Sequence, residues 1–181
     1  MSAAGDDLAR PAVLGVDLAL RATGIAFPDG TSTSYVPPSS ATDTVRLNLI
    51  LGAVTDALEE PVDLVAIEGY SYGSSGRSLV GLAEVGGLVR WAIWRAGIDR
   101  LEVPPAVLKR AATGKGNADK VAVLIAARDR LGYDGVDHNE ADARWLQVIG
   151  RHWLQAPTTR LPKTHVSAIG QLVRTPGRGR L

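Results

Sequence analysis

Two apolar runs of strand length each close on a single carboxylate: Val13-Leu14-Gly15-Val16-Asp17 and Leu64-Val65-Ala66-Ile67-Glu68. Continuous apolar runs of this length read as strands buried on both faces, as in sheets with helices on either side. A carboxylate ending such a strand is hard to ionise unless something positive meets it. A third acid, Asp142, opens a helical segment whose same-face positions are otherwise apolar: Leu146, Ile149 and Trp153. Three converging acids with no positive side chain beside any of them call for a divalent metal, and an oxygen-rich donor set suits Mg²⁺ or Mn²⁺. The pattern predicts an active site.

At 181 residues the chain fits one domain with a sizeable core. No apolar stretch approaches the roughly 18 residues of a membrane span, and the first residues lack the basic-then-apolar order of a signal peptide. The chain has no cysteine, which excludes disulfides, thiolate catalysis and cysteine zinc sites, and fits a cytoplasmic protein. The net charge of +1 hides a division: residues 1–150 carry −5 and residues 151–181 carry +6. Within the first part, residues 77–130 hold ten basic against five acidic side chains. Basic charge set apart from an acidic site is what a nuclease needs, with cations for phosphates and carboxylates for metals. A solvated basic face with a basic tail accounts for the same charges without a ligand.

The chain divides into a loose leader (1–11), a single domain (12–153) and a basic, partly ordered tail (154–181). Residues 12–18, 23–28 and 31–36 read as strands, with Asp29-Gly30 as a hairpin signal. A helix follows over 42–59, with Leu47, Ile50, Leu51, Val54 and Leu58 as its apolar stripe. Strand 62–68, a Gly/Ser-rich loop from Gly69 to Arg77, a long helix 78–97 and strand 99–103 come next. Pro104-Pro105 starts a helix carrying Lys109 and Arg110, Asn117 is set to cap a helix over 118–131, and a last helix spans 138–153. This order predicts an α/β fold: a mixed five-stranded sheet with helices on both faces.

Each acid has a structural rival explanation. Asp17 is also a common turn residue at a strand end. Glu68 is harder to explain that way, because glutamate is a poor turn former. Asn139-Glu140-Ala141-Asp142 comes close to a capping box, a purely structural device; against this, Asp142 shares a helical face with Leu146 and Ile149. Asn139 falls on the same side and His138 beside it, so either could be a further metal ligand or orient the attacking water. Gly86-Gly87 inside the long helix costs about 1 kcal/mol per glycine relative to alanine, so something must approach closely there.

Taken together, Gly15-Val16-Asp17 with Thr23-Gly24, Ala66-Ile67-Glu68, Lys109 with the Gly116-to-Lys120 stretch, and Asn139-Glu140-Ala141-Asp142-Ala143 resemble the RuvC-type Holliday junction resolvases in order and spacing. The likeness covers residues 12–150 and is greatest to the divergent resolvases carried by phages. It implies a ribonuclease H-like fold, a homodimer, and cleavage of four-way DNA junctions dependent on Mg²⁺ or Mn²⁺, two ions per site. Asp17, Glu68 and Asp142 match three of the family's four acidic positions. The fourth, three residues before the last aspartate, is Asp or His in the family and Asn139 here, which leaves Asp137, His138 and Asn139 as candidates to complete the site. Lys120 matches a family lysine near the cleaved phosphate, Lys109 is a second match, and Lys115 is a phosphate contact by position. The resemblance also implies that the loop after Glu68 presents an aromatic, Tyr70 or Tyr72, to bases at the crossover; Arg77, at the end of that loop, is a further candidate DNA contact. It places the protein in a bacterial or phage-infected cell, with host or phage recombination proteins as further partners.

Two other readings compete. An actin-like nucleotide-binding phosphotransferase also begins with an aspartate-bearing strand and a Thr-Gly hairpin, but needs a second phosphate hairpin and usually a second domain. A non-catalytic junction-binding protein is favoured only by the missing fourth acid.

Overall fold

The computed structural model describes residues 10–70 and 77–179. The chain runs β1 (Val13–Asp17), β2 (Thr23–Ala26), β3 (Ser32–Tyr35), α1 (Asp43–Ala57), β4 (Leu64–Glu68), α2 (Arg77–Arg95), β5 (Asp99–Val103), α3 (Pro105–Thr113), α4 (Lys120–Leu131), α5 (His138–Trp153), α6 (Lys163–Val166) and β6 (Arg174–Thr175). The sheet order is β3-β2-β1-β4-β5-β6. Strands β1, β4 and β5 are parallel, β2 and β3 form an antiparallel meander, and β6 runs antiparallel to β5. The five expected strands are present, and the sixth comes from the C-terminal segment.

Strand periodicity decides which face each acid meets. Side chains alternate across a strand, so every second residue shares a face. Val13, Leu64, Ala66, Leu101 and Val103 pack into one core with Leu108 of α3, Val123 of α4 and Leu146 and Ile149 of α5. Leu14, Val16, Val65 and Ile67 pack into a second core with Ile50 and Val54 of α1 and Val85, Val89 and Ile93 of α2. Asp17 keeps the parity of Val13, and Glu68 that of Leu64 and Ala66, so both acids belong to the α5 face. Val16 pairs with Ile67, and the next step along both strands brings Asp17 beside Glu68.

Helix α5 lies unusually close to the sheet. A β carbon on Gly15 would collide with the Ala143 carbonyl, and one on Gly24 with the carbonyl of Asn139. These glycines admit the helix backbone and not a ligand. Gln147, buried on α5, donates from Nε2 to the carbonyls of Val13 (3.0 Å) and Phe27, tying the helix to the first hairpin. The hairpin turn forms where Asp29-Gly30 predicts it: Asp29 Oδ1 accepts from Thr31 N at 2.8 Å, and Gly30 has a φ of +94°.

Two cap assignments change. Helix α4 is capped by Asp119, which accepts from Ala122 N at 2.8 Å, and not by Asn117. Helix α5 is capped by Asp137, which accepts from Asn139 N and Glu140 N at 2.7 and 3.3 Å. An aspartate one residue before the helix reaches the free N–H groups better than Asn117, set three residues ahead of α4, or Asn139, inside the first turn of α5.

Beyond Trp153 the chain returns to the body. Trp153 Nε1 donates to Leu172 O at 3.0 Å, His165 Nδ1 lies 2.9 Å from Ala111 O, and Arg174 pairs with Asp99 at 2.7 Å. Among the described residues, no helix is long and apolar enough to cross a membrane.

Candidate active site

The ends of β1 and β4 and the first turns of α4 and α5 open on one cleft of about 370 Å³. Asp17, Glu68, Asp142, Asn139, Lys109 and Lys120 line it. Asp17 is held at the mouth of a turn closed by Thr23, fully buried, whose Oγ1 donates to Ala19 O at 2.8 Å. Glu68 is fixed by pairing with Val103, followed by Gly69 N donating to Val103 O at 2.9 Å. Asp142 comes from the first turns of α5, pressed against β1 and β2 through Gly15 and Gly24.

The electrostatics are those of acids forced together. Burial pushes Asp17 well above the usual carboxylate range, helped by the negative charges of Glu68 and Asp142 and by a hydrogen bond to Glu68; Lys120 opposes the rise. Burial, followed by repulsion from Asp142, raises Glu68 to about 6. Burial lifts Asp142 to about 6 as well, against the pull of Lys120, His138 and Lys109. Among the described residues, no three His, Cys, Asp or Glu side chains are drawn into a ready-made metal-holding group. The donor chemistry nevertheless fits a hard divalent cation: three carboxylates and a carboxamide on one cleft, with no sulfur. The negative charge concentrated where these acids meet is what attracts a cation.

Of the three candidates for a further ligand, Asp137 is engaged as the α5 cap. Asn139 lines the cleft; its Nδ2 donates to Asp137 Oδ1 at 3.1 Å, which leaves the carboxamide oxygen as its acceptor toward the site. His138 acts on the charge of Asp142 but does not line the cleft, and its buried Nδ1 has no hydrogen-bond partner among the described residues.

Lys120 is the first residue of α4 and reaches the cleft, as does Lys109 from α3. Lys115 is exposed in the turn between those helices and is not brought to the cleft. Tyr70 lines the cleft, but its hydroxyl is bonded to α2. Tyr72 and the side chain of Arg77 lie outside the described residues.

Two residues at or behind the site escape a sequence reading. Arg90 lines the cleft from α2; its signal is the Gly86-to-Arg90 spacing of one helical turn, opposite a charged pair, Arg100 and Glu102, on alternate positions of β5. Gln147 reads as an ordinary polar residue, and only its burial against the carbonyls of Val13 and Phe27 gives it a role.

A family model, Crossover junction endodeoxyribonuclease RuvC, matches residues 13–143. The RuvC of Rhodococcus opacus is 37% identical over 173 residues, covering 88% of this chain and 90% of the relative. The RuvC of Mycobacterium ulcerans is 32% identical over 135 residues, covering 72% of each. A structure of Thermus thermophilus RuvC superposes with a TM-score of 0.67 at 18% identity, over 83% of this chain and 99% of that one. Its complex with a Holliday junction substrate gives a TM-score of 0.67 at 17% identity, over 84% and 99%. These superpositions match the ribonuclease H-like fold, and the sequence matches carry the relationship. The chain belongs to the RuvC family of crossover junction endodeoxyribonucleases.

Proposed function

We propose that this protein is a divalent-metal-dependent endodeoxyribonuclease that resolves four-way DNA junctions by paired nicking. The observation that carries this reading is the convergence of Asp17, Glu68 and Asp142, from two neighbouring strands and the helix across them, on a cleft shared with Lys109 and Lys120. The nuclease domain is residues 12–153, and the basic segment 154–181 packs back onto it and adds β6 to the sheet.

Asp17, Glu68 and Asp142 would hold the cations, two Mg²⁺ or Mn²⁺ ions per site, with the Asn139 carboxamide oxygen as a neutral fourth donor. Bound there, the cations supply Lewis acidity toward the scissile phosphodiester. The raised acids must lose their protons to bind them, so cation binding competes with protons and weakens as pH falls. Lys120 sits where the free N–H groups and dipole of α4 already favour an anion, and it holds the phosphate beside the acids. Lys109 adds a second positive charge on the same wall. A neutral Asn139 removes one negative charge from the path of the DNA backbone.

Productive resolution needs two symmetric nicks on opposing strands, and a chain with one acidic site meets that need by pairing two-fold. Trp91 and Trp94 on the outer face of α2 are 50% and 38% exposed, with Val80 and Leu88 on the same helix also exposed. That face is our choice for part of the dimer contact.

The test is a labelled four-way junction incubated with the protein and Mg²⁺ or Mn²⁺, beside an ATP-hydrolysis assay. Symmetric nicks without ATP turnover support the proposal. Junction binding with no cutting in either metal would make the protein a clamp, and ATP turnover would make it a phosphotransferase.

A further inference from the structure

A cluster behind the Glu68 loop links the cleft to α2 and β5. Tyr70, two residues after Glu68, donates from Oη to Ala83 O at 3.2 Å and accepts from Arg90 Nη1 at 2.9 Å. The Arg90 guanidinium lies 4.3 Å from the Tyr70 ring centroid. The same guanidinium pairs with Glu102 through Nε at 3.0 Å and Nη2 at 3.4 Å. Arg100 Nε holds Glu102 from the other side at 3.2 Å. Burial works against the Glu102 charge, yet the two arginines keep its carboxyl below the usual range.

Gly86 belongs to this arrangement. A β carbon there would run into Tyr70 Oη and Arg90 Nη1, whereas nothing lies within 4 Å of one built on Gly87. The first glycine of the pair therefore makes room for the Tyr70 hydroxyl on the helix surface. Tyr70 and Arg90 both line the cleft that holds the three acids. The chain leaving Glu68 is thus fixed twice: by the backbone bond from Gly69 to Val103, and by the Tyr70 side chain on α2.

We propose that Arg90 is a positioning residue: by clamping Tyr70 to α2 and Glu102 on β5, it holds the segment after Glu68 so that the Glu68 carboxylate faces Asp17 in the geometry the cations need. The inference rests on the nuclease reading of the same site. A direct phosphate contact by Arg90 is the competing role. Glu102 takes two of its nitrogens and Tyr70 the third, and its side chain is only 13% exposed, so three of its five N–H groups are committed and little of its surface is open to a phosphate.

The experiment compares the full-length wild type with Arg90→Ala, Arg90→Lys and Tyr70→Phe. Tyr70→Phe keeps a stacking ring and removes only the hydroxyl, so it tests the clamp even if Arg90→Ala folds poorly. Four quantities are measured: affinity for Mn²⁺ alone, junction affinity and its salt dependence, single-turnover cutting, and melting temperature. Groups that orient metal ligands typically cost about 10–100-fold in metal affinity or activity when removed. Arg90→Ala and Tyr70→Phe should each lose Mn²⁺ affinity and cutting rate on that scale with junction affinity unchanged, and their effects should not add in the double variant. Arg90→Lys should stay impaired, because one ammonium cannot serve Tyr70 and Glu102 together. Unchanged Mn²⁺ affinity with weaker, less salt-dependent junction binding would make Arg90 a phosphate contact and overturn the inference. Lower melting temperatures with unchanged Mn²⁺ affinity and cutting would overturn it in favour of a scaffold role. A wild type that cuts no junction, while the variants still lose Mn²⁺ affinity, would sink the nuclease reading and leave the clamp standing.

Discussion

Gly15 of β1 and Ala143 of α5 touch backbone to backbone, with no space between them for a β carbon. This contact sets the depth at which α5 lies on the sheet, and Asp142 is the residue before Ala143. The approach of the third acid to the first is therefore fixed by a residue with no side chain.

Gly15→Ala should push α5 outward and carry Asp142 with it. Forcing extra volume into a packed contact typically costs about 1–3 kcal/mol, and urea unfolding should show a loss of that size. Cutting should fall further than the stability loss explains, because the acids separate. Gly81→Ala serves as a contrast: its new β carbon would meet the flexible end of Leu20 Cδ1 at 3.0 Å, away from α5, so any loss should be smaller.

The raised acids make stability depend on pH with a definite sign. Glu68 and Asp142 titrate near 6 in the folded chain, above their ordinary 4.5 and 3.8. The folded state then binds more protons than the unfolded state across about pH 4–6, so stability falls as pH rises through that window. A shift of this size corresponds to about 2 kcal/mol for Glu68. Denaturant midpoints in chelator should drop from pH 4 to pH 7, Glu68→Gln should flatten the drop, and Mg²⁺ should restore stability at pH 7 by binding the folded state. A midpoint that rises with pH in chelator would contradict the electrostatics.

The C-terminal segment offers a charge test that avoids deleting structure. Arg174 is committed to Asp99, and residues 163–172 pack on the body, so truncation would confound DNA binding with folding. Arg160→Gln with Lys163→Gln leaves those contacts intact. Each lost phosphate contact should lower the slope of log affinity against log salt by about 0.9. An unchanged slope would remove these two residues from the DNA surface.

Much of this site was legible because strand parity is a rigid rule. Asp17 and Glu68 each end an apolar run, and no register with both runs buried could separate them far. Asp142 was legible from the helical face it shares with Leu146 and Ile149. The caps were not, because Asp119 and Asp137 compete with nearby Asn117 and Asn139 for the same role, and the chain's path decides between them. Arg90 was hidden for a related reason: its partners Tyr70 and Glu102 lie 20 and 12 residues away, and only the packing of α2 on β5 brings the three together. The function of Gly15 and Gly24 was half legible. Glycine inside a buried strand marks a close approach of something to the backbone, and only the fold shows that the approaching group is α5.

The outer face of α2 bears on the pairing of sites. Trp91→Ala with Trp94→Ala should shift a dimer toward monomer in sedimentation analysis and convert paired nicks on a cruciform plasmid into single nicks. Paired nicking by a strict monomer at working concentration would defeat the two-site account. A dimer indifferent to both substitutions would move the interface elsewhere.

The most direct measurement sets binding against cutting in the acid variants. A labelled four-way junction is titrated with wild type, Asp17→Asn and Glu68→Gln, and cleavage is followed in Mg²⁺ and in Mn²⁺. If Asp17 and Glu68 hold the cations as proposed, removing either carboxylate takes away a ligand and also a repulsion of phosphate. The account predicts that both variants bind the junction as well as or better than wild type and make no nicks in either metal. A folded Asp17→Asn or Glu68→Gln protein that still cuts at the wild-type rate would contradict it.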